Sequence, residues 1–144
     1  MRVFLGVTGA SGAPYARRLL HALVAADCEV GVSISGAAIE VLGTELYGDA
    51  RLSADEVVAR FTEGTDVTVY AANDWRAPYA SGSAKVDGYV ICPCSMGTLG
   101  TIASGAMQNL IHRAASVDDL LDFVVGRVLD QLGLENALIP RWGS

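Results

Sequence analysis

Lysine is nearly absent from this chain of 144 residues, because Lys85 is the only one and the other nine basic residues are arginines. A P-loop hydrolase carries a lysine directly after the last glycine of its phosphate-binding loop, and no lysine follows Gly12, which ends the glycine-rich turn near the start of the chain. A short-chain dehydrogenase carries a tyrosine four residues before a lysine, and Ser81 occupies that position. Both of these classes of nucleotide-binding enzyme are therefore excluded.

Basic residues as a whole are outnumbered, with 10 of them against 16 acidic residues and a formal net charge of -6. A protein that binds nucleic acid through its phosphates needs a positively charged surface. The charge balance therefore argues against a nucleic-acid partner.

Cysteine is also scarce, since only Cys28, Cys92 and Cys94 are present. An odd number without the spacing of a disulfide framework favours a reducing compartment, so a cytoplasmic location is expected. Cys92 and Cys94 stand close together and have too few other ligands nearby for a structural zinc site. They are interpreted as buried, unreactive thiols, and no metal is expected.

Long apolar runs free of polar residues are missing. Residues 88–111 carry no charge over a length that could span a bilayer, but polar and helix-breaking residues interrupt them: Pro93, Cys94, Ser95, Thr98, Ser104, Gln108 and Asn109. The first residues of the chain do not have the pattern of a signal peptide. Neither a membrane span nor a leader is expected.

Small apolar residues are abundant instead, and their pattern alternates between strands and helices. Strands are predicted at residues 2–7, 29–34, 67–71 and 89–92. Helices are predicted at residues 15–26, 37–47 and 98–115 and from residue 116 onward. Another short helix is predicted directly after a capping box at residues 53–56. This order predicts one α/β domain over residues 1–144, a Rossmann-like (flavodoxin-like) three-layer domain with a parallel sheet. In such sheets, ligands bind at the carboxyl ends of the strands.

Two turns rich in small residues follow predicted strands and precede predicted helices. In the first turn, residues 8–12, backbone N–H groups and a helix N-terminus form a site for a phosphate, to which Thr8 and Ser11 add hydroxyls. Tyr15 is too bulky for the third glycine of a dinucleotide fingerprint, so NAD is not the expected ligand. The second turn, residues 91–98, could share one mononucleotide with the first. A tight turn without any ligand is the alternative for the first turn.

Together these motifs resemble the UbiX-type flavin prenyltransferases. The matching stretches cover most of the chain: residues 8–13, 35–38, 73–83, 91–98, 109–115 and 120–143. The resemblance implies a metal-free enzyme that transfers the dimethylallyl group of dimethylallyl monophosphate to N5 and C6 of reduced FMN. It also implies a homo-oligomer, expected to be a dodecamer, and a UbiD-type decarboxylase that uses the prenylated FMN.

The resemblance further implies roles for individual residues. The residues expected to bind FMN are Gly9, Ala10, Ser11, Gly12, Ser35, Ser95, Met96, Gly97 and Thr98. Glu45 and Ser11 are expected to be catalytic, with Glu45 handling a proton near the reacting groups, and a solvated carboxylate on a helix face is the alternative for Glu45. The residues expected to contact the prenyl substrate are Ser81, Ser83, Arg113, Arg127 and Trp142. For Arg127, an ordinary surface ion pair is the alternative.

One part of the family's pattern is missing. In the family, a segment long enough for two strands, which carries a phosphate-binding lysine and tyrosine, precedes the last helix, whereas here Ala115 leads directly into Ser116 and Val117. The segment is either omitted from this sequence or truly deleted, and the exposed strand edges that a deletion would leave favour an omission. A true deletion predicts FMN binding without prenyl transfer. Two other functions stay open, a non-catalytic FMN-binding or assembly subunit and a flavin-dependent cysteine decarboxylase, although the usual Pro-x-Met-Asn motif of the latter is missing.

Overall fold

The computed structural model describes residues 1–74, 76–80 and 85–105. Strands and helices alternate over much of these ranges. In chain order they are β1 (Arg2–Val7), α1 (Ala13–Ala25), β2 (Glu29–Ile34), α2 (Gly36–Tyr47), α3 (Ala54–Phe61), β3 (Thr68–Tyr70), β4 (Gly88–Ile91) and α4 (Met96–Ala103).

The four strands form one parallel sheet in the order β3-β2-β1-β4. β1 pairs with β2 along its whole length, so that Val7 lies opposite Ile34, and it pairs with β4, so that Gly6 lies opposite Ile91. The predicted α/β fold with a parallel sheet is confirmed. Because all strands run the same way, their carboxyl ends meet at one border of the sheet, which is called the carboxyl edge below.

The two faces of the sheet are packed differently, since successive side chains of a strand point to opposite faces. One face packs against α1, α2 and α3 in a large apolar cluster that includes Leu5, Leu20 and Phe61. Burying each such side chain contributes about 1.5–3 kcal/mol to stability. The other face carries a smaller aromatic cluster, in which the ring centroids of Phe4 and Tyr79 lie 5.2 Å apart. The large cluster fixes α1 and α2 against the sheet and thereby positions their N-termini at the carboxyl edge.

The bounds of the elements agree closely with the sequence patterns. The strands predicted at residues 2–7 and 29–34 have those bounds, and α3 begins with the predicted capping box, in which Ser53 and Glu56 exchange hydrogen bonds. α4 begins at Met96, two residues earlier than predicted, because Ser95 caps it. The helices predicted beyond residue 105 lie outside the described residues.

No helix in the described ranges is long and apolar enough to cross a membrane. Within the same ranges, His, Cys, Asp and Glu side chains form no group of three or more that could hold a metal ion.

The thiols of Cys28, Cys92 and Cys94 are free, and burial raises the pKa of Cys92. A raised pKa keeps the Cys92 thiol protonated at neutral pH, which makes it a poor nucleophile.

Candidate functional site

Three segments of the chain leave the sheet at the carboxyl edge and are joined there. Residues 8–12 follow β1, Ser35 follows β2 and residues 92–95 follow β4. The backbone N–H of Ser35 donates to the Val7 carbonyl oxygen at 3.0 Å, and that of Thr8 donates to the Pro93 carbonyl oxygen at 3.2 Å. Each segment leads into a helix, so the N-termini of α1, α2 and α4 all begin at this edge. Helix N-termini attract negative charge.

Thr8 links the segment after β1 to the segment after β4. Its buried hydroxyl donates to the Pro93 carbonyl oxygen at 2.8 Å and accepts from the Ser95 backbone N–H at 2.8 Å. The expectation that this hydroxyl binds a phosphate is therefore corrected, because it connects the two turns. Thr8 and Ser95 are 87 residues apart, so no local pattern revealed this contact.

The predicted glycines of the first turn serve its geometry. A Cβ atom at Gly9 would lie 2.6 Å from the Cβ of Ala37 in α2, closer than such atoms approach in proteins. Gly12, at the N-cap of α1, has a φ of 117°, in the left-handed region that favours glycine. The backbone N–H of Ala10 donates to the Thr8 carbonyl oxygen at 2.8 Å and closes the turn. Glycine at these positions lets α2 pack directly against the first turn.

A carboxylate of the chain itself binds the N-terminus of α1. Glu45, in the last turn of α2, accepts hydrogen bonds through Oε2 from the backbone N–H groups of Gly12 at 2.9 Å and Ala13 at 2.8 Å. The positive end of the helix dipole favours a carboxylate at this place. The N–H groups of Gly12 and Ala13 are thus bonded within the chain, and the phosphate site expected at this turn stays a prediction.

The surroundings of Glu45 favour its ionised form. A hydrogen bond with the Ser11 side chain is the largest cause that lowers the pKa of Glu45, and the backbone N–H groups of Gly12 and Ala13 lower it further. A carboxylate with a lowered pKa stays ionised at neutral pH, where it accepts hydrogen bonds and does not act as an acid. The structure thus brings together Glu45 and Ser11, the two residues that the sequence singled out as catalytic.

The N-termini of α2 and α4 are arranged differently. Each is capped by its own serine, whose Oγ accepts from the backbone N–H three residues later, at 3.3 Å for Ser35 and 3.2 Å for Ser95. Beyond the cap of α4, Met96 is 80% exposed and Gly97 is exposed too. Thr98 is buried, and its Oγ1 lies 3.0 Å from the Ser95 Oγ. Ser95, Met96 and Gly97 therefore border an accessible helix N-terminus, and the buried Thr98 contacts the capping Ser95.

Five other predicted site residues lie outside the described residues. They are the expected contacts of the prenyl substrate: Ser81, Ser83, Arg113, Arg127 and Trp142. Their roles stay predictions.

Known proteins are similar to this chain in sequence and in fold. The family model described as Flavoprotein matches residues 1–127. The flavin prenyltransferase UbiX of Pseudomonas aeruginosa is 36% identical in an alignment that covers 99% of this chain and 94% of the relative. The chain belongs to the UbiX flavin prenyltransferase family.

Another UbiX relative, the flavin prenyltransferase of Methanocaldococcus jannaschii, is 32% identical with 100% of both chains covered. Among solved structures, a dodecameric FMN-dependent UbiX-like decarboxylase from Escherichia coli O157:H7 is 27% identical with a TM-score of 0.59 and 100% of both chains covered. The alignment with the Pseudomonas UbiX is 197 positions long, whereas this chain has 144 residues, so at least 53 positions hold no residue of this chain. The length difference agrees with the missing segment that the motifs indicated.

Proposed function

We propose that this chain is a flavin prenyltransferase, which transfers the dimethylallyl group of dimethylallyl monophosphate to N5 and C6 of reduced FMN. The observation that carries the proposal is the convergence, at one edge of a UbiX-family sheet, of an ionised carboxylate at Glu45, the Ser11 hydroxyl and an accessible helix N-terminus at α4. Proton transfer and anion binding are both available there.

The residues of the carboxyl edge fit FMN. The half-buried hydroxyls of Ser35 and Ser95 and the exposed backbone of Gly36 and Gly97 suit a ribityl chain and a phosphate. Bound reduced FMN would supply the nucleophilic N5 and C6 atoms. Residues 9–12 would then line the flavin from the α1 side, with Ser11 and Gly12 nearest to Glu45.

The phosphate of FMN is assigned to the α2 and α4 side of the edge. Glu45 already bonds the first N–H groups of α1, and a second anion beside its carboxylate would be repelled. At α4, by contrast, Ser95 contributes a hydroxyl and the backbone of Met96 and Gly97 is exposed. This placement separates the phosphate from the proton-handling group.

Glu45 and Ser11 are assigned the proton transfer. Formation of the N5–C1 bond would break the C1–O bond of dimethylallyl monophosphate and release inorganic phosphate. Joining C3 of the prenyl group to C6 would add one proton to C2 of the former double bond, while the hydrogens of N5 and C6 leave as protons that a base takes up. Hydrogen bonds from Ser11, Gly12 and Ala13 keep Glu45 ionised, so its carboxylate is free to take up a proton with the Ser11 hydroxyl as the relay, although the same bonds make it a weaker base than an ordinary glutamate. General-base catalysis of this kind contributes about 10²–10⁴-fold in rate.

The residues that bind the prenyl substrate, the assembly and the user of the product are proposed by analogy with the UbiX family. The prenyl phosphate would be bound by Arg113 and Arg127, whose guanidinium groups suit bidentate phosphate binding, while Ser81, Ser83 and Trp142 would border the prenyl group. The enzyme would assemble into a homo-oligomer, a dodecamer, in the cytoplasm, and a UbiD-type decarboxylase would take the product. The chain would act as one FMN-binding domain over residues 1–144.

The test is to incubate the protein with reduced FMN and dimethylallyl monophosphate without oxygen and to follow the flavin by mass and absorption. A prenylated flavin is expected, formed about 10²-fold or more slowly by Glu45→Gln. Glu40→Gln, an exposed change on the same helix, is the matched control. Absence of the adduct with the wild-type protein would contradict the proposal.

A non-catalytic FMN-binding subunit is the second candidate. It is favoured by the 53 or more alignment positions that this chain lacks relative to the Pseudomonas enzyme. Equilibrium binding of FMN, measured beside the prenyl-transfer assay, separates the two functions. Tight FMN binding without any adduct supports the second candidate and rejects the first.

A further inference from the structure

Tyr47, the last residue of α2, lies close to two arginines. The guanidinium carbon of Arg17 in α1 lies 6.0 Å from the centroid of the Tyr47 ring, and that of Arg60 in α3 lies 5.5 Å from it. A guanidinium within about 6 Å of an aromatic ring is attracted to the negative face of the ring. The ring therefore connects the end of α2 to both neighbouring helices.

The same helical turn carries Glu45. α2 ends at Tyr47 and is followed by the C-cap Gly48, which has a φ of 69°, and helix ends are the places where fraying begins. Leu46 fixes this turn to the apolar cluster, whereas Tyr47 connects it to α1 and α3. Backbone hydrogen bonds from Gly48 to Thr44 and from Asp49 to Gly43 close the same end of the helix. The place of the Glu45 carboxylate depends on these bonds together with the contacts of Leu46 and Tyr47.

Two neighbouring contacts join the last turn of α2 to α1. Glu45 bonds Gly12 and Ala13, and Tyr47 stacks with Arg17, one turn further along α1. We propose that Tyr47, held by Arg17 and Arg60, is a positioning residue that keeps the Glu45 carboxylate on the N-terminus of α1. The inference rests on the proposed function only for the role of Glu45 in prenyl transfer.

The aromatic ring, and not the hydroxyl, carries this role. The Tyr47 hydroxyl oxygen is buried and has no hydrogen-bond partner in the part of the chain that the structure describes. Burial is the main cause that raises the pKa of Tyr47, so the hydroxyl stays neutral. Replacing an unpartnered buried hydroxyl by hydrogen removes a desolvation cost. Tyr47→Phe is therefore expected to keep Glu45 in place, and Tyr47→Leu to release it.

The measurement is the pKa of Glu45, obtained by NMR titration of its carboxyl carbon and of the backbone amides of Gly12 and Ala13. The lowered pKa is expected to persist in Tyr47→Phe and to move toward the ordinary glutamate value in Tyr47→Leu. Prenyl transfer should fall about two- to fivefold in Tyr47→Leu and stay unchanged in Tyr47→Phe, as the strength of an exposed cation–π contact suggests. An unchanged Glu45 pKa in Tyr47→Leu would overturn the proposal, as would equal changes in both variants.

The arginine variants test the same contact without altering α2. The double variant Arg17→Gln, Arg60→Gln removes both guanidinium groups that lie near the Tyr47 ring. Arg18→Gln removes an exposed charge of α1 and serves as the control. The double variant should raise the Glu45 pKa by more than twice the effect of Arg18→Gln. A shift of only twice that size would show a general effect of charge and would overturn the proposal. If these shifts occur but the wild type forms no prenylated flavin, the positioning role is supported and the proposed function is rejected.

Discussion

The turn before α1 and the turn before α4 look alike in sequence but differ in what binds their helix N-termini. Both follow a strand at the carboxyl edge, and the Thr8 hydroxyl joins them. At α1, the first N–H groups bond the carboxylate of Glu45 from another helix. At α4, the turn caps itself through Ser95, and Met96 stays exposed.

The difference shows that a small-residue turn does not by itself define a phosphate site. Whether a helix N-terminus can take an external anion depends on the side chains that neighbouring elements bring to it. At α1, the N–H groups of Gly12 and Ala13 are bonded to the Glu45 carboxylate. At α4, the turn is capped by Ser95, and Met96 and Gly97 are exposed.

The largest expected effect comes from Gly9→Ala compared with Gly97→Ala. The new Cβ at position 9 would lie 2.6 Å from the Cβ of Ala37, whereas at Gly97 the nearest neighbouring atom outside its own helix backbone is the Ser95 Oγ at 4.0 Å. Urea unfolding should show a loss of about 1–3 kcal/mol for Gly9→Ala. Gly97→Ala should be neutral or should gain up to about 1 kcal/mol. Equal losses in both variants would contradict the asymmetry between the turns.

Removal of the link between the turns is expected to have the next largest effect. Thr8→Val keeps the shape of a buried side chain but removes a hydroxyl that makes two hydrogen bonds of 2.8 Å. The loss in unfolding free energy should be about 2 kcal/mol, because Ser95 loses a partner in a part-buried place. Thr101→Val is the control, since its hydroxyl bonds only Gly97 of its own helix. A loss no larger than that of the control would show that the turns hold together without Thr8.

Much of the fold was predictable because its signals are local. The short, largely apolar runs of β1 and β2 and the capping box at Ser53 and Glu56 each involve residues a few positions apart. The start of α4 lies two residues before the predicted start, because Met96 and Gly97 give little helical periodicity and Ser95 caps the helix.

The site was predictable in its membership but not in its connections. Motif resemblance singled out Glu45 and Ser11, yet the bonds from Gly12 and Ala13 to Glu45 span 33 and 32 residues and depend on how α2 packs against α1. The stacking of Arg17 and Arg60 on Tyr47 depends on three helices meeting, and no spacing in the sequence encodes it. Such contacts arise from tertiary packing, which local periodicity does not specify.

The serine caps of α2 and α4 are expected to contribute slightly different amounts to the stability of the protein. Ser95→Ala should destabilise the protein by about 1 kcal/mol, because it removes the N-cap of a short helix. Ser35→Ala should cost somewhat less, since Ser95 also interacts with the Thr98 hydroxyl, at 3.0 Å. Thermal unfolding of both variants measures the difference. A larger loss of stability for Ser35→Ala would show that the cap of α4 is not the more stabilising of the two.

The smallest expected effect on stability is that of Glu45→Gln, because Glu45 is exposed and its interactions are screened by water. The pKa of Glu45 is lowered in the folded protein, so its contribution is present above the ordinary glutamate pKa and is lost as the pH falls through the folded-state value. The wild type should therefore be more stable than Glu45→Gln near neutral pH, and the difference should disappear in acid. Unfolding in urea at a series of pH values measures this.

Glu40→Gln removes the same charge from α2 and controls for net charge. If the difference between the wild type and Glu45→Gln persisted unchanged in acid, the charge on Glu45 would not be what binds it to α1. Glu45 would then bind the N-terminus of α1 in its protonated form as well, through hydrogen bonds from Gly12 and Ala13 that do not depend on its charge. The distinction between the two turns would rest on these hydrogen bonds and not on electrostatics.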